Sequence, residues 1–224
     1  MDIEPRVPSL EDSIRTLKAL TAQVGPERIA WRYDPVLLTE KYTIERHLET
    51  FDRMACELTP YVDRCIFSFV EMYKKLEVNM PELRPVSEQD KLTLAQGMGT
   101  TARKYGLYLQ TCATKVDYEP FGIHRIGCMT AEIFSNALGI HFKKTPHQGN
   151  RAGCLCIESR GLGDYNSCPN GCRYCYANKD HARALQNYLT HDPKSPLLLG
   201  HLRPTDKIQP LKQVSLLNRE PLLF

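Results

Sequence analysis

Residues 64–70, Arg64-Cys-Ile-Phe-Ser-Phe-Val70, decide the fold class. The run is nearly all apolar, so it reads as a strand buried on both faces. On its N-terminal side lies an expected helix from about Thr43 to Leu58. Thr43 is its cap, and Ile44, Leu48, Phe51 and Met54 or Ala55 recur on one face. Before that helix, Arg28-Ile-Ala-Trp-Arg-Tyr33, closed by Asp34-Pro35, reads as a further strand. A first helix spans Ser9 to about Val24, with Ser9 as cap, Asp12 three residues on, and a stop at Gly25-Pro26. On the C-terminal side, a loop holding Pro81 and Pro85 leads to a helix from Ser87 to about Tyr105, ended by Gly106. Leu107-Tyr-Leu-Gln-Thr-Cys112 is then the next strand. Helices alternating with short strands predict an α/β parallel sheet built from right-handed crossovers. Three strands do not close a barrel, so the expectation is a partial (β/α) barrel or an open parallel sheet.

Past Asp117 the alternation degrades. A short helix is expected from Thr130 to Leu138, a linker at Pro146–Asn150, a cysteine-rich metal-binding segment, and a helix from Asn178 to Leu189. From His191 onward the chain is rich in proline and reads as an extended tail. The expected division is 1–145 for the helix/strand region, 146–190 for the cysteine segment and its helix, and 191–224 for the tail.

The 224 residues carry a net charge of +3, too mild to indicate nucleic acid as a partner. No apolar run approaches the roughly 18 residues of a membrane span, and Met1-Asp2-Ile3-Glu4-Pro5 has no signal-peptide character. A cytoplasmic protein is expected. Nine cysteines, an odd number, then argue against a disulfide framework. Cys56, Cys65, Cys112 and Cys128 are scattered and read as small buried hydrophobes. The other five fall between Cys154 and Cys175 and need a chemical reason.

Within that stretch, Cys168-Pro-Asn-Gly-Cys172-Arg-Tyr-Cys175 has the spacing C-x3-C-x2-C. Three thiolates so spaced can wrap one face of a 4Fe–4S cluster and leave the fourth iron without a protein thiolate. Pro169, Asn170 and Gly171 suit the tight loop between them. The alternative is zinc: Cys154 and Cys156 could join two of the other three in a tetrahedral site that fixes the C-terminal region.

Ligands of α/β sheets bind at the carboxyl ends of the strands. Alternation places Ala30, Arg32 and Asp34 on one face, and Ile29, Trp31 and Tyr33 on the face that packs under helices. Arg32 and Asp34 are therefore the catalytic candidates, with a plain structural ion pair as the competing reading. The same phasing selects Gln110 and Cys112, with Gln110 a cofactor-binding candidate. His47, on a helix, reads as a surface or boundary residue.

Cys168-x3-Cys172-x-Tyr174-Cys175 resembles the signature of radical S-adenosylmethionine enzymes. That resemblance implies a cluster whose open iron binds the amino and carboxylate groups of S-adenosylmethionine. An electron donor then drives formation of a 5′-deoxyadenosyl radical that acts on a substrate the sequence does not name. Tyr174 stands at the superfamily's aromatic position and joins the cofactor-binding candidates. More of the chain resembles one bacterial family, catalogued as domain-of-unknown-function family eighteen-forty-eight. The residues are Trp31-Arg-Tyr-Asp-Pro35, the Ser68-Phe69 strand, Cys154-x-Cys156, Cys172-x-Tyr-Cys-Tyr-Ala-Asn178 and His191-Asp-Pro-Lys-Ser-Pro196. Two features depart from these patterns. The cysteine loop lies near the C-terminus, not after the first strand, and members of the family begin with a further segment carrying additional strands. The chain is thus expected to be a fragment or a short relative, with an oligomer or a partner chain supplying the missing strands.

Overall fold

A computed structural model describes residues 3–149, 152–212 and 214–218. Met1-Asp2 and Asn150, the end of the expected linker, lie outside the described residues, as do 213 and 219–224 of the expected tail. Three strands, β1 (Ala30–Val36), β2 (Arg64–Phe69) and β3 (Leu109–Thr111), form a parallel sheet in the order β1-β2-β3. Trp31 stands opposite Cys65, and Ile66 opposite Gln110. Among the described residues the sheet is open and small, and no barrel closes. The helices are α1 (Leu10–Val24), α2 (Ile44–Leu58), α3 (Lys74–Asn79), α4 (Glu88–Tyr105), α5 (Ala131–Leu138) and α6 (His181–Leu189).

Local chemistry explains most of these bounds. The Thr43 side chain accepts from Arg46 N at 3.3 Å and starts α2. Ser87 and Asp90 satisfy each other's backbone N–H groups in a reciprocal capping box at the start of α4. Gly106, at φ 69°, ends that helix in the left-handed region that a side chain disfavours. α2 packs on α4. Trp31 stacks on Phe51 of α2, with ring centroids 5.3 Å apart, and Tyr33 meets the same ring edge-on. Phe67, Leu94, Met98 and Leu109 fill the same core. β1 thus keeps its aromatic face under the helices and leaves Arg32 and Asp34 on the other side.

Four local expectations are corrected. β1 does not stop at Asp34-Pro35 but runs on to Val36, with a register shift after Tyr33; as an edge strand it tolerates a residue without an N–H. α3 occupies a stretch read as loop, and at six residues it is too short to show periodicity. α6 begins at His181, because Asp180 caps it, accepting from Arg183 N at 3.0 Å. His47 is buried: its Nε2–H donates to the Leu37 carbonyl (2.7 Å), which leaves Nδ1 to accept from the Tyr33 hydroxyl (2.9 Å).

The chain divides into two compact units of interleaved segments, where the sequence suggests cuts at 145 and 190. The sheet unit takes residues 10–72, 82–159 and the chain from Leu216. The loop unit takes the residues up to Ser9, then 73–81 and 160–215, and so holds α3, α6 and Cys168, Cys172 and Cys175. Residues 191–212 form turns and bends with no helix or strand. The expected linker is not free chain: Gln148 N donates to the Cys156 carbonyl at 2.9 Å, and His147 bridges Ile157.

Candidate functional site

The cysteine loop is held by its backbone carbonyls. Gly171, at φ +71°, turns the chain between Cys168 and Cys172, and Cys175 N donates to the Cys172 carbonyl at 3.0 Å. Arg6 Nη1 donates to the Pro169 carbonyl at 2.8 Å, and Arg173 N to that of Ile3 at 2.9 Å. Lys75 Nζ, from α3, donates to the Cys175 carbonyl at 2.9 Å and to that of Asn178. The Arg173 guanidinium returns to α3, with Nε and Nη2 on the Asn79 carbonyl at 2.9 and 2.6 Å. Asn178 Nδ2 donates to the Cys168 carbonyl, and the buried Asn178 Oδ1 has no partner. Backbone and side-chain donors thus occupy the loop's carbonyls, and its three cysteines form no disulfide.

Cys168 is exposed, and Cys172 and Cys175 are half-buried. Burial, with the Glu4 carboxylate adding to it, raises the Cys172 thiol above its ordinary pKa. Tyr174 donates to Glu4; burial first, then that carboxylate, hold its phenol well above the usual value. Among the described residues, no three His, Cys, Asp or Glu side chains surround a common metal position.

The sheet unit has a polar edge of its own. Arg32 Nε and Nη2 reach Asp34 Oδ2 at 3.3 and 2.8 Å, and Ser68 Oγ donates to Oδ1. Asp34 is therefore clamped between adjacent strands. Burial lowers the Arg32 pKa, but Asp34 first and then Cys112, the residue after β3, outweigh it and hold the guanidinium above its ordinary value. A cleft of about 300 Å³ opens at the carboxyl ends of β2 and β3, lined by Ser68, Glu71, Lys91, Cys112 and Lys115 among others.

Gln110, selected by the same strand phasing, is fully buried. It accepts from Arg64 Nη1 at 3.1 Å, and its amide donates to the Ile126 and Gly127 carbonyls at 3.5 Å. Cys156 lies in the sheet unit, where its sulfur is 3.4 Å from that of Cys128. Cys154 belongs to the same unit and is half-buried. Sequence reasoning set Cys128 aside as a core residue; a contact made across 28 residues leaves no local pattern to find.

The family model described as Domain of unknown function (DUF1848) matches residues 1–177, which takes in both units' cysteines. No curated protein and no solved structure matches the chain.

Proposed function

The chain belongs to the DUF1848 family, and on that footing we propose that it is an iron–sulfur protein of radical S-adenosylmethionine type. Cys168, Cys172 and Cys175 would hold a 4Fe–4S cluster. The carrying observation is that donors from the segment up to Ser9, from α3 and from Asn178 occupy the loop's carbonyls, while none of the three cysteines is tied up in a disulfide. The donor set fits the group, since clusters are held by cysteine thiolates. Asn178 Oδ1, buried and unpartnered beside the loop, adds an acceptor that a bound ligand can use. Such a centre supplies one-electron reductive cleavage of S-adenosylmethionine, fed by an electron donor.

The chain's own residues do the rest of the work. Gly171 lets the loop turn between its first two thiols, Lys75 and Arg173 bind the loop and α3 to each other, and Tyr174 is fixed by Glu4. In the sheet unit, Asp34 is oriented by Arg32 and Ser68 and offers a charged pair to a polar substrate group.

Anaerobic purification with iron, sulfide and zinc analysis tests the reading. Brown protein with matching iron and sulfide is expected, and on reduction it releases 5′-deoxyadenosine and methionine from S-adenosylmethionine. Stoichiometric zinc without iron overturns the cluster. A fully loaded cluster that never cleaves S-adenosylmethionine under strong reduction overturns the catalytic half and leaves a metal-binding module.

A further inference from the structure

We propose that Cys128 and Cys156 are a redox-active dithiol pair, which a low-molecular-weight disulfide of the glutathione class oxidises to an intramolecular disulfide. Their sulfurs lie 3.4 Å apart although 28 residues separate them in the chain. A disulfide bond is about 2.05 Å long, so the two sulfurs need to approach by roughly 1.4 Å from that contact.

The backbone holds the pair together. His124 N donates to the Leu109 carbonyl at 2.9 Å and Thr111 N to the His124 carbonyl at 3.0 Å, which lays the chain leading to Cys128 along β3. The Gln110 amide holds the carbonyls of Ile126 and Gly127. Ile157 N donates to the Met129 carbonyl at 2.9 Å, tying together the residues that follow the two cysteines. At Gly127 the two backbones touch: a Cβ there would sit 2.4 Å from the Leu155 carbonyl oxygen and 2.8 Å from Cys156 N. The glycine is what lets Cys128 and Cys156 meet.

What the bond controls lies between the two cysteines. From Cys128 to Leu155 none of the described residues is buried, α5 included, whereas Gly127 and Cys156 are. Phe134 and Phe142 meet edge-on at 6.4 Å, and Lys143 N donates to the Leu216 carbonyl at 2.7 Å. A segment so thinly packed opens locally at little cost. A covalent closure at its base removes many of its open conformations.

The step balances. Cys128 is half-buried and Cys156 buried, so Cys128 is the sulfur that meets the oxidant. Its thiolate attacks one sulfur of the oxidant and expels a thiolate, leaving a mixed disulfide on Cys128. Cys156 gives up its proton, attacks Cys128 Sγ and expels the second thiolate. The two cysteines lose two electrons and two protons, and one small disulfide becomes two thiols. The Cys112 thiol, then burial, hold the Cys128 thiol above its ordinary pKa. Closure is therefore slow, over minutes to hours.

The experiment uses the full chain, fully reduced and then incubated anaerobically with oxidised glutathione. Free thiols are blocked by alkylation, and the disulfides are mapped by mass spectrometry after digestion. A peptide pair joined through Cys128 and Cys156 is expected as the major product from the folded chain. Unfolding in urea should scatter the pairing among the nine cysteines. Hydrogen exchange over residues 129–149 should slow by about tenfold or more on oxidation. Cys128→Ser and Cys156→Ser, checked for folding by circular dichroism, should abolish that slowing, while Cys56→Ser behaves as the parent. The mapped bond is read without reference to iron, so its result is independent of the cluster reading. Free Cys128 and Cys156 after other cysteines have reacted, a Cys154–Cys156 bond as the major product, or unchanged exchange after closure overturns the proposal.

Discussion

Asn178 Nδ2 donates to the Cys168 carbonyl at 2.5 Å, while Oδ1 of the same buried amide has no partner. Asn178, three residues beyond Cys175, therefore fixes the motif's first turn. Asn178→Ala removes the donor and leaves the carbonyl unsatisfied, a loss of about 1–3 kcal/mol. Asn178→Asp sets an acceptor against an acceptor and should be worse. Hydrogen exchange over residues 166–178 is the measurement, and both variants should lose protection there while the sheet unit keeps its own. Equal protection in Asn178→Asp and the parent would remove the amide from the account.

The proposed ligands separate cleanly from the other cysteines. Cys168→Ala, Cys172→Ala and Cys175→Ala should each strip the iron, because three thiolates leave no redundancy. Cys56 is exposed and Cys65 fully buried in the core. Cys56→Ala should change neither iron nor stability, and Cys65→Ala should keep the iron and cost about 1 kcal/mol for the lost packing. Iron analysis beside urea unfolding checks both halves.

His47 gives a pH dependence with a definite sign. Burial lowers its pKa from the ordinary 6.5, and its bonds to Leu37 and Tyr33 use the neutral ring. The unfolded chain takes up the proton first. The stability this site contributes is therefore present above about pH 6.5 and is lost as pH falls through the lowered folded value. The urea midpoint of the parent should drop on acidification below pH 6.5 more steeply than that of His47→Asn, which starts lower. Parallel slopes would refute the linkage.

Short-range chemistry accounts for what the sequence alone made legible. The Ser87 start, the Thr43 cap and the Gly106 stop are local signals, and the alternation of β1 puts Trp31 inward and Arg32 and Asp34 outward. What escaped is tertiary or too short. α3 has six residues and no side-chain cap, and His47 looks like a surface residue until Tyr33 and Leu37 close over it. Cys154 and Cys156 stand beside the C-x3-C-x2-C run in the chain, yet the fold assigns them to the sheet unit, where Cys156 meets Cys128. Neighbourhood in sequence grouped five cysteines; backbone pairing regroups them.

β1 pairs with β2 alone among the described strands. The outer side of an edge strand is a template on which another chain can pair. The protein should therefore self-associate or take up a partner strand, and light scattering over a concentration series should show mass rising above 25.6 kDa. A strict monomer at high concentration would count against an edge-seeking sheet.

The clamp on Asp34 separates a structural ion pair from a functional one. Arg32 and Asp34 are partly exposed, so their pairing should contribute no more than about 1 kcal/mol. Asp34→Asn keeps the side chain's shape and its acceptor for Ser68 Oγ but removes the charge that orients Arg32. Stability and iron content should then stay near those of the parent, since neither residue is a thiolate ligand. If the pair contacts substrate or cofactor, release of 5′-deoxyadenosine should fall by tenfold or more, about 1.4 kcal/mol of lost transition-state stabilisation. Arg32→Lys should fall with it, because an ammonium cannot reproduce the two-nitrogen contact on one carboxylate. Unchanged turnover with a drop in unfolding midpoint would make Arg32 and Asp34 a strand-end brace and nothing more.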